Sequence, residues 1–205
     1  MRKAINPRSH LNFTPAELNS AYHWLCQQRK HHPASADIGS FRCNGGKYQL
    51  PLLEVINQGH YRFSPLKRLR KANGQSIHLW CSEDALVMKL LAGRLARQFK
   101  LPKSCTHIKG HGGLKKAVCR VQQQLKHYQF VCKTDVKQFY EAIDHALLSE
   151  QIDQHISCRT TRYYLQQVIR RTVEYGGNYR DITQGIARGC PLAQPVSREA
   201  VKSKR

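Results

Sequence analysis

The sequence predicts an α+β fold, and three observations predict it. Five segments repeat apolar residues at the three- and four-residue spacing of a helix with one buried face. Between them lie short apolar runs that read as strands. The clearest is Phe130-Val131-Cys132, which leads into Lys133-Thr134-Asp135 as a buried strand ending on a carboxylate. Third, the Asn73-Gly74 pair is a hairpin signal that favours a type I′ turn.

The elements follow in order. Thr14-Pro15-Ala16-Glu17 is a capping box with proline at the first helical position. Leu18, Ala21, Tyr22, Leu25 and Cys26 share one face of the helix that follows, which should end near Arg29. Residues 34–80 read as loops and short strands, with a Gly45-Gly46 turn and a basic cluster, Lys67, Arg68, Arg70 and Lys71, just before the hairpin turn. Ser82 should cap a helix with Glu83 and Asp84 in its first turn and an apolar face of Ala85, Val87, Met88, Leu91, Leu95 and Phe99. Gly110-His111-Gly112-Gly113 opens a helix with Leu114, Ala117, Val118, Val121 and Leu125 on one face and Lys115, Lys116 and Arg120 outside it. Asp144 is the N-cap of a helix from His145 to about Ile156. A further helix spans about Thr161 to Glu174, stopped by Gly176-Gly177, and Tyr179 to Ile186 reads as short strands.

The chain carries 34 Lys plus Arg against 13 Asp plus Glu, a net +21. Such a balance suits a nucleic-acid partner, with a solvated cationic surface as the plainer alternative. No apolar run approaches the length of a membrane-spanning helix and the N-terminus has no apolar leader, so the expectation is a cytoplasmic protein with no membrane partner. The eight cysteines are scattered without CxxC or zinc-finger spacing and read as reduced thiols, mostly core fillers.

Two stretches carry a family resemblance. DVKQFYEAIDH, residues 135–145, resembles motif A of reverse transcriptases of the bacterial group II intron and retron type, and GIARGCPLAQP, residues 185–195, resembles their motif B. YRFSPLKRL, LWCSEDALVMKLLAGRL and GHGG are similar to fingers segments of the same family, in the same order. The resemblance implies a right-hand polymerase fragment, fingers plus partial palm and no thumb. Its implied divisions are a basic helical extension at 1–35, fingers at 36–127, partial palm at 128–195 and a basic tail unlike the family at 196–205.

The resemblance implies an RNA-directed DNA polymerase, using an RNA template, a DNA primer and deoxynucleotide triphosphates. Asp135 would be the catalytic carboxylate, holding Mg2+ with the carbonyl of Val136. Tyr140, beside Phe139, would be the gate beneath the sugar. Arg188 and Gly189 would pack on the nucleotide, and Lys71 and Arg70 would face its phosphates, although no Arg or Lys follows Gly74 before Lys89. Lys67, Arg68, Lys115, Lys116 and Arg120 would hold nucleic acid. A Tyr-x-Asp-Asp segment, which supplies the other metal carboxylates in the family, is absent from these residues. Two divalent ions held close together need several converging carboxylates. The sequence is therefore expected to be an incomplete polymerase, inactive alone, that lacks the rest of the palm and the thumb. The rivals are a non-catalytic RNA or single-stranded-DNA-binding module and one half of a split polymerase that needs a C-terminal palm and thumb fragment.

Overall fold

The computed structural model describes residues 11–33, 36–70, 72–74, 76–98, 106, 112–187, 190 and 192. Among them are six helices and one four-stranded sheet, an α+β architecture. The chain forms two compact units: Met1–Leu95 with Gln138–Arg205, and Ala96–Lys137.

In the first unit, α1 (Pro15–Gln28) starts as its sequence dictates. Thr14 accepts from the Glu17 amide and Glu17 reaches back to the Thr14 amide. Leu18, Ala21 and Leu25 are buried and the helix ends at Arg29. Next comes α2 (Asp37–Asn57), where loops and short strands were expected. Pro51 lies inside it and forgoes one backbone hydrogen bond. Burial of Ile38, Leu52, Leu53 and Ile56 outweighs that loss and the Gly45-Gly46 signal.

The sheet comprises β1 (Leu66–Arg70), β2 (Ser76–Leu79), β3 (Thr172–Tyr175) and β4 (Asn178–Asp181), in the order β2-β1-β3-β4. β1 pairs antiparallel with β2 and parallel with β3, and β3 pairs antiparallel with β4. The expected hairpin at Asn73-Gly74 forms, with Gly74 at φ +80°, but residues 71–75 connect its strands, longer than a two-residue turn. Residues 172–174, expected as the end of a helix, belong to β3. Gly176-Gly177, both at positive φ, make the two-residue turn of a second hairpin.

α3 (Ser82–Gln98) buries residues on almost every side, among them Leu86, Val87, Met88, Leu90 and Leu91. Its first amide, Ser82 N–H, donates to the Asp37 carboxylate from α2, so the helix is capped across the chain rather than by its own serine. Arg29 binds Asp37 (3.2 Å), the Ser82 hydroxyl (2.7 Å) and the Trp80 carbonyl (2.6 Å), which fixes the ends of α1, α2 and α3 together. α5 (His145–His155) is capped by Asp144, which accepts from the amides of Ala146 and Leu147. α6 (Arg159–Ile169) buries Tyr164, Leu165, Val168 and Ile169, and the Tyr164 hydroxyl donates to the Ile56 carbonyl at 2.8 Å.

The second unit contains α4 (Gly113–Leu125), which begins where the glycine-rich turn predicts. Its apolar stripe of Leu114, Val118, Val121 and Leu125 is exposed. The expected buried strand at Phe130–Cys132 does not form. These residues are irregular and exposed, Phe130 by 87%. An apolar run becomes a strand only when a neighbouring chain takes its backbone hydrogen bonds. The cysteines also depart from expectation. Among the described residues only Cys190 is buried, while Cys43, Cys119 and Cys132 are exposed. Among the described residues no helix is long and apolar enough to cross a membrane.

Candidate functional site

Residues 138–144 and 185–186, from the two stretches that resemble polymerase motifs, lie side by side, with Gln184 just before the second stretch. The Gly185 amide donates to the Ile143 carbonyl (2.8 Å), the Ile186 amide donates to the Tyr140 carbonyl (2.7 Å), and Asp144 bridges to Gln184. A tight turn presents this edge: the amides of Glu141 and Ala142 both donate to the Gln138 carbonyl, and Gln138 takes φ +52°. Gly185 sits at φ +75°, and a Cβ there would lie 2.8 Å from the carbonyl oxygens of both Tyr140 and Glu141. Only glycine satisfies both the backbone angle and the close approach.

The carbonyl of Gly185 is held in turn by His145 Nε2 (2.7 Å) and by Arg171 Nη1 (2.9 Å), which also donates to the Ile169 carbonyl. Burial pulls the pKa of Arg171 down, and its Nε is buried without a hydrogen-bond partner. Sequence reasoning missed Arg171, which lies in no pattern that marks a site, and gave no role in the site to His145, the last residue of the stretch that resembles motif A. Beyond the junction, Ile186, Ala187, Cys190 and Leu192 pack on Leu165, Val168 and Ile169 of α6, and the Cys190 thiol meets the Met88 sulfur at 3.3 Å.

The residues singled out from the sequence divide among three places. Phe139 and Tyr140 are half-buried at the junction, their rings edge to face at 5.4 Å. Lys67, Arg68 and Arg70 are exposed on β1, with the Arg68 guanidinium 5.2 Å from the centre of the Tyr175 ring. Lys115, Lys116 and Arg120 are exposed on α4 in the second unit, which also holds Asp135 and Val136, both exposed. Lys71, Arg188 and Gly189 lie outside the described residues.

Magnesium needs oxygen donors, and a two-ion site needs several carboxylates converging. Among the described residues no three His, Cys, Asp or Glu side chains come together in a way that could hold a metal ion. The donor set around Asp135 does not fit a two-ion centre.

A cleft of about 560 Å³, to which sequence reasoning assigned no chemistry, is lined by Asp37, Ser40, Phe41, Pro51, Leu52, Val55, Tyr61, Cys81, Ser82 and Glu83. Burial pushes the Cys81 thiol up to about 12, with the neighbouring Asp84 charge adding to it, so at neutral pH it is a protonated thiol and a poor nucleophile. Burial likewise raises the Glu83 carboxyl.

No protein-family model and no curated protein matches the chain. Solved structures do. A chain in a partial Cas6-RT-Cas1–Cas2 complex matches with TM-score 0.60 and 12% identity, over 93% of this chain and 33% of that one. A chain in the Cas6-RT-Cas1–Cas2 complex matches with the same TM-score and identity, over 93% of this chain and 20% of that one. The present chain spans a third or less of the length of those chains. The likeness is one of fold, and the fold is reverse-transcriptase-like.

Proposed function

We propose that the chain is the fingers and partial palm of a reverse transcriptase, a polymerase segment that binds nucleic acid and needs further chain to catalyse. The observation that carries this reading is the pairing of Tyr140–Asp144 with Gln184–Ile186 inside a reverse-transcriptase-like fold. The two stretches picked out by their resemblance to motifs A and B are far apart in sequence and adjacent in space. In this reading, Tyr140 gates the sugar, Arg188 and Gly189 pack on the nucleotide, and Arg70 and Lys71 face its phosphates. Asp135 and the carbonyl of Val136 would contribute to holding Mg2+ only together with carboxylates from further chain. The wider assembly of the similar structures, with Cas6 and Cas1–Cas2, suits a chain that works among protein partners.

Primer extension on an RNA template tests this. The chain alone should incorporate no deoxynucleotide, because one carboxylate cannot hold two divalent ions close together against their repulsion. Joined to a palm remainder that carries Tyr-x-Asp-Asp and to a thumb, it should incorporate, and Asp135→Asn should abolish that. Incorporation by the chain alone, lost on Asp135→Asn, overturns the view that it is incomplete.

The second reading is a non-catalytic module that binds RNA or single-stranded DNA. It is favoured by the net charge of +21 and by the lack of a metal-ligating cluster among the described residues. RNA binding that persists while no added palm restores incorporation would select it.

A further inference from the structure

The sheet segregates its charges by face. Side chains alternate along each strand, and paired residues share a face. The registers place Leu66, Arg68 and Arg70 of β1 with Ser76 and His78 of β2, Val173 and Tyr175 of β3, and Asn178 and Arg180 of β4. Both acids of the sheet, Glu174 and Asp181, fall on the opposite face, where Asp181 accepts from the Thr172 hydroxyl. On the cationic face, Leu66 and Val173 are buried and anchor the sheet. One step further out, His78, Arg68, Tyr175 and Asn178 form a row across all four strands, each of them exposed.

This row has the parts of a strand-binding platform. The Arg68 guanidinium lies over the Tyr175 ring at 5.2 Å, within cation–π range, and its Nε donates to the Ser76 hydroxyl. Tyr175 is still 47% exposed. Partial desolvation against the sheet lowers the pKa of His78, although its surface is exposed, and so do the nearby charges of Arg171 and Arg68, with no acid among its influences. The geometry points to a binding site for single-stranded nucleic acid running across the strands, its phosphates on Arg68 and His78 and one base stacked at Tyr175. Stacking on an exposed aromatic flanked by cations tolerates any base, which suits a chain of this charge. The inference rests on the nucleic-acid reading above and assigns that reading a surface.

The test is fluorescence anisotropy with labelled oligouridine and oligothymidine of about a dozen nucleotides, near the upper range of one such site. Tyr175→Ala and Arg68→Gln should each weaken binding at least about fivefold, the lower end of what one base–aromatic stack contributes. Lys67→Gln removes the same charge from the opposite face and should cost less than Arg68→Gln. An abasic strand of equal charge should bind the wild type more weakly and lose nothing further on Tyr175→Ala. In the unaltered protein, the His78 imidazole should titrate at higher pH when the oligonucleotide is bound, read from its NMR shifts. Oligouridine favoured over oligothymidine would assign the row to RNA, and the reverse to DNA; either supports the site. If the wild type binds while Tyr175→Ala and Arg68→Gln stay within about twofold of it and His78 does not shift, the row is overturned and the nucleic-acid reading stands. If the wild type binds neither strand, both fall.

Discussion

The phenolic hydroxyl of Tyr61 donates a 2.7 Å hydrogen bond to the carboxylate of Asp84, which is completely buried. The other carboxylate oxygen accepts from the Ser64 amide at 3.1 Å. Asp84 thereby fixes the segment before β1 to the first turn of α3, where the sequence suggested only a favourable charge at a helix end.

That carboxylate should leave a mark on the pH dependence of stability. Burial raises its pKa above the ordinary 3.8, against the hydrogen bonds from Tyr61, Cys81 and Ser64 that lower it. A raised carboxyl binds more protons in the folded state, so its contribution to stability is full below the unfolded pKa and is lost as pH rises through the folded one. Urea unfolding measured from acidic to neutral pH should show that loss in the wild type, and Asp84→Asn should remove it. Parallel profiles for the two proteins would contradict the assignment. Tyr61→Phe should cost about 1.5–3 kcal/mol at neutral pH, the range for a hydrogen bond to a charged group.

Gly185→Ala should destabilise the chain by about 3 kcal/mol, because it combines a left-handed backbone with a clash against two carbonyl oxygens. Thermal melts check this. A variant within about 1 kcal/mol of the wild type would mean that the junction of residues 140–144 and 184–186 yields easily.

Asp144→Ala should cost about 1 kcal/mol through loss of the α5 cap, since the amides of Ala146 and Leu147 both donate to its side chain. Asp144→Ser should recover most of it, and an equal loss for both substitutions would assign Asp144 some role other than capping.

Nucleic-acid affinity should fall steeply with salt. Replacing Lys115, Lys116 and Arg120 with glutamine should flatten the slope of log affinity against log salt by about 0.7 for each residue that meets a phosphate of a single strand. An unchanged slope would remove α4 from the interface.

Signals that act within a few residues were legible in the sequence. Thr14 with Glu17, Asp144 before α5 and Gly74 in the hairpin each work through their own backbone neighbourhood, and each appears where the sequence places it. Gly185 was also legible as the start of a recognisable stretch. What the sequence hid was settled at long range. Asp37 caps α3 from another helix, Pro51 is tolerated because its neighbours are buried, and Phe130–Cys132 is paired with no strand among the described residues. Val173 fits a helical stripe or a strand equally well, and its pairing with Leu66 makes it β3. Arg171 reaches Gly185 only after the chain has folded back.

The parallel pairing of β1 with β3 also sets a timetable. Leu66 meets Val173, and the second unit, Ala96–Lys137, is spelled out between them. Closing a loop of about a hundred residues costs only slightly more than closing one half as long, because the entropy grows with the logarithm of length. The delay is a matter of synthesis. At about 5–20 residues per second, the β1–β2 hairpin waits about 5–20 seconds on the ribosome before β3 emerges. Throughout that interval the inner edge of β1 offers unpaired amides and carbonyls to any other strand nearby. Lys67, Arg68 and Arg70, exposed along β1, repel a second nascent copy of the same strand until its own partner arrives.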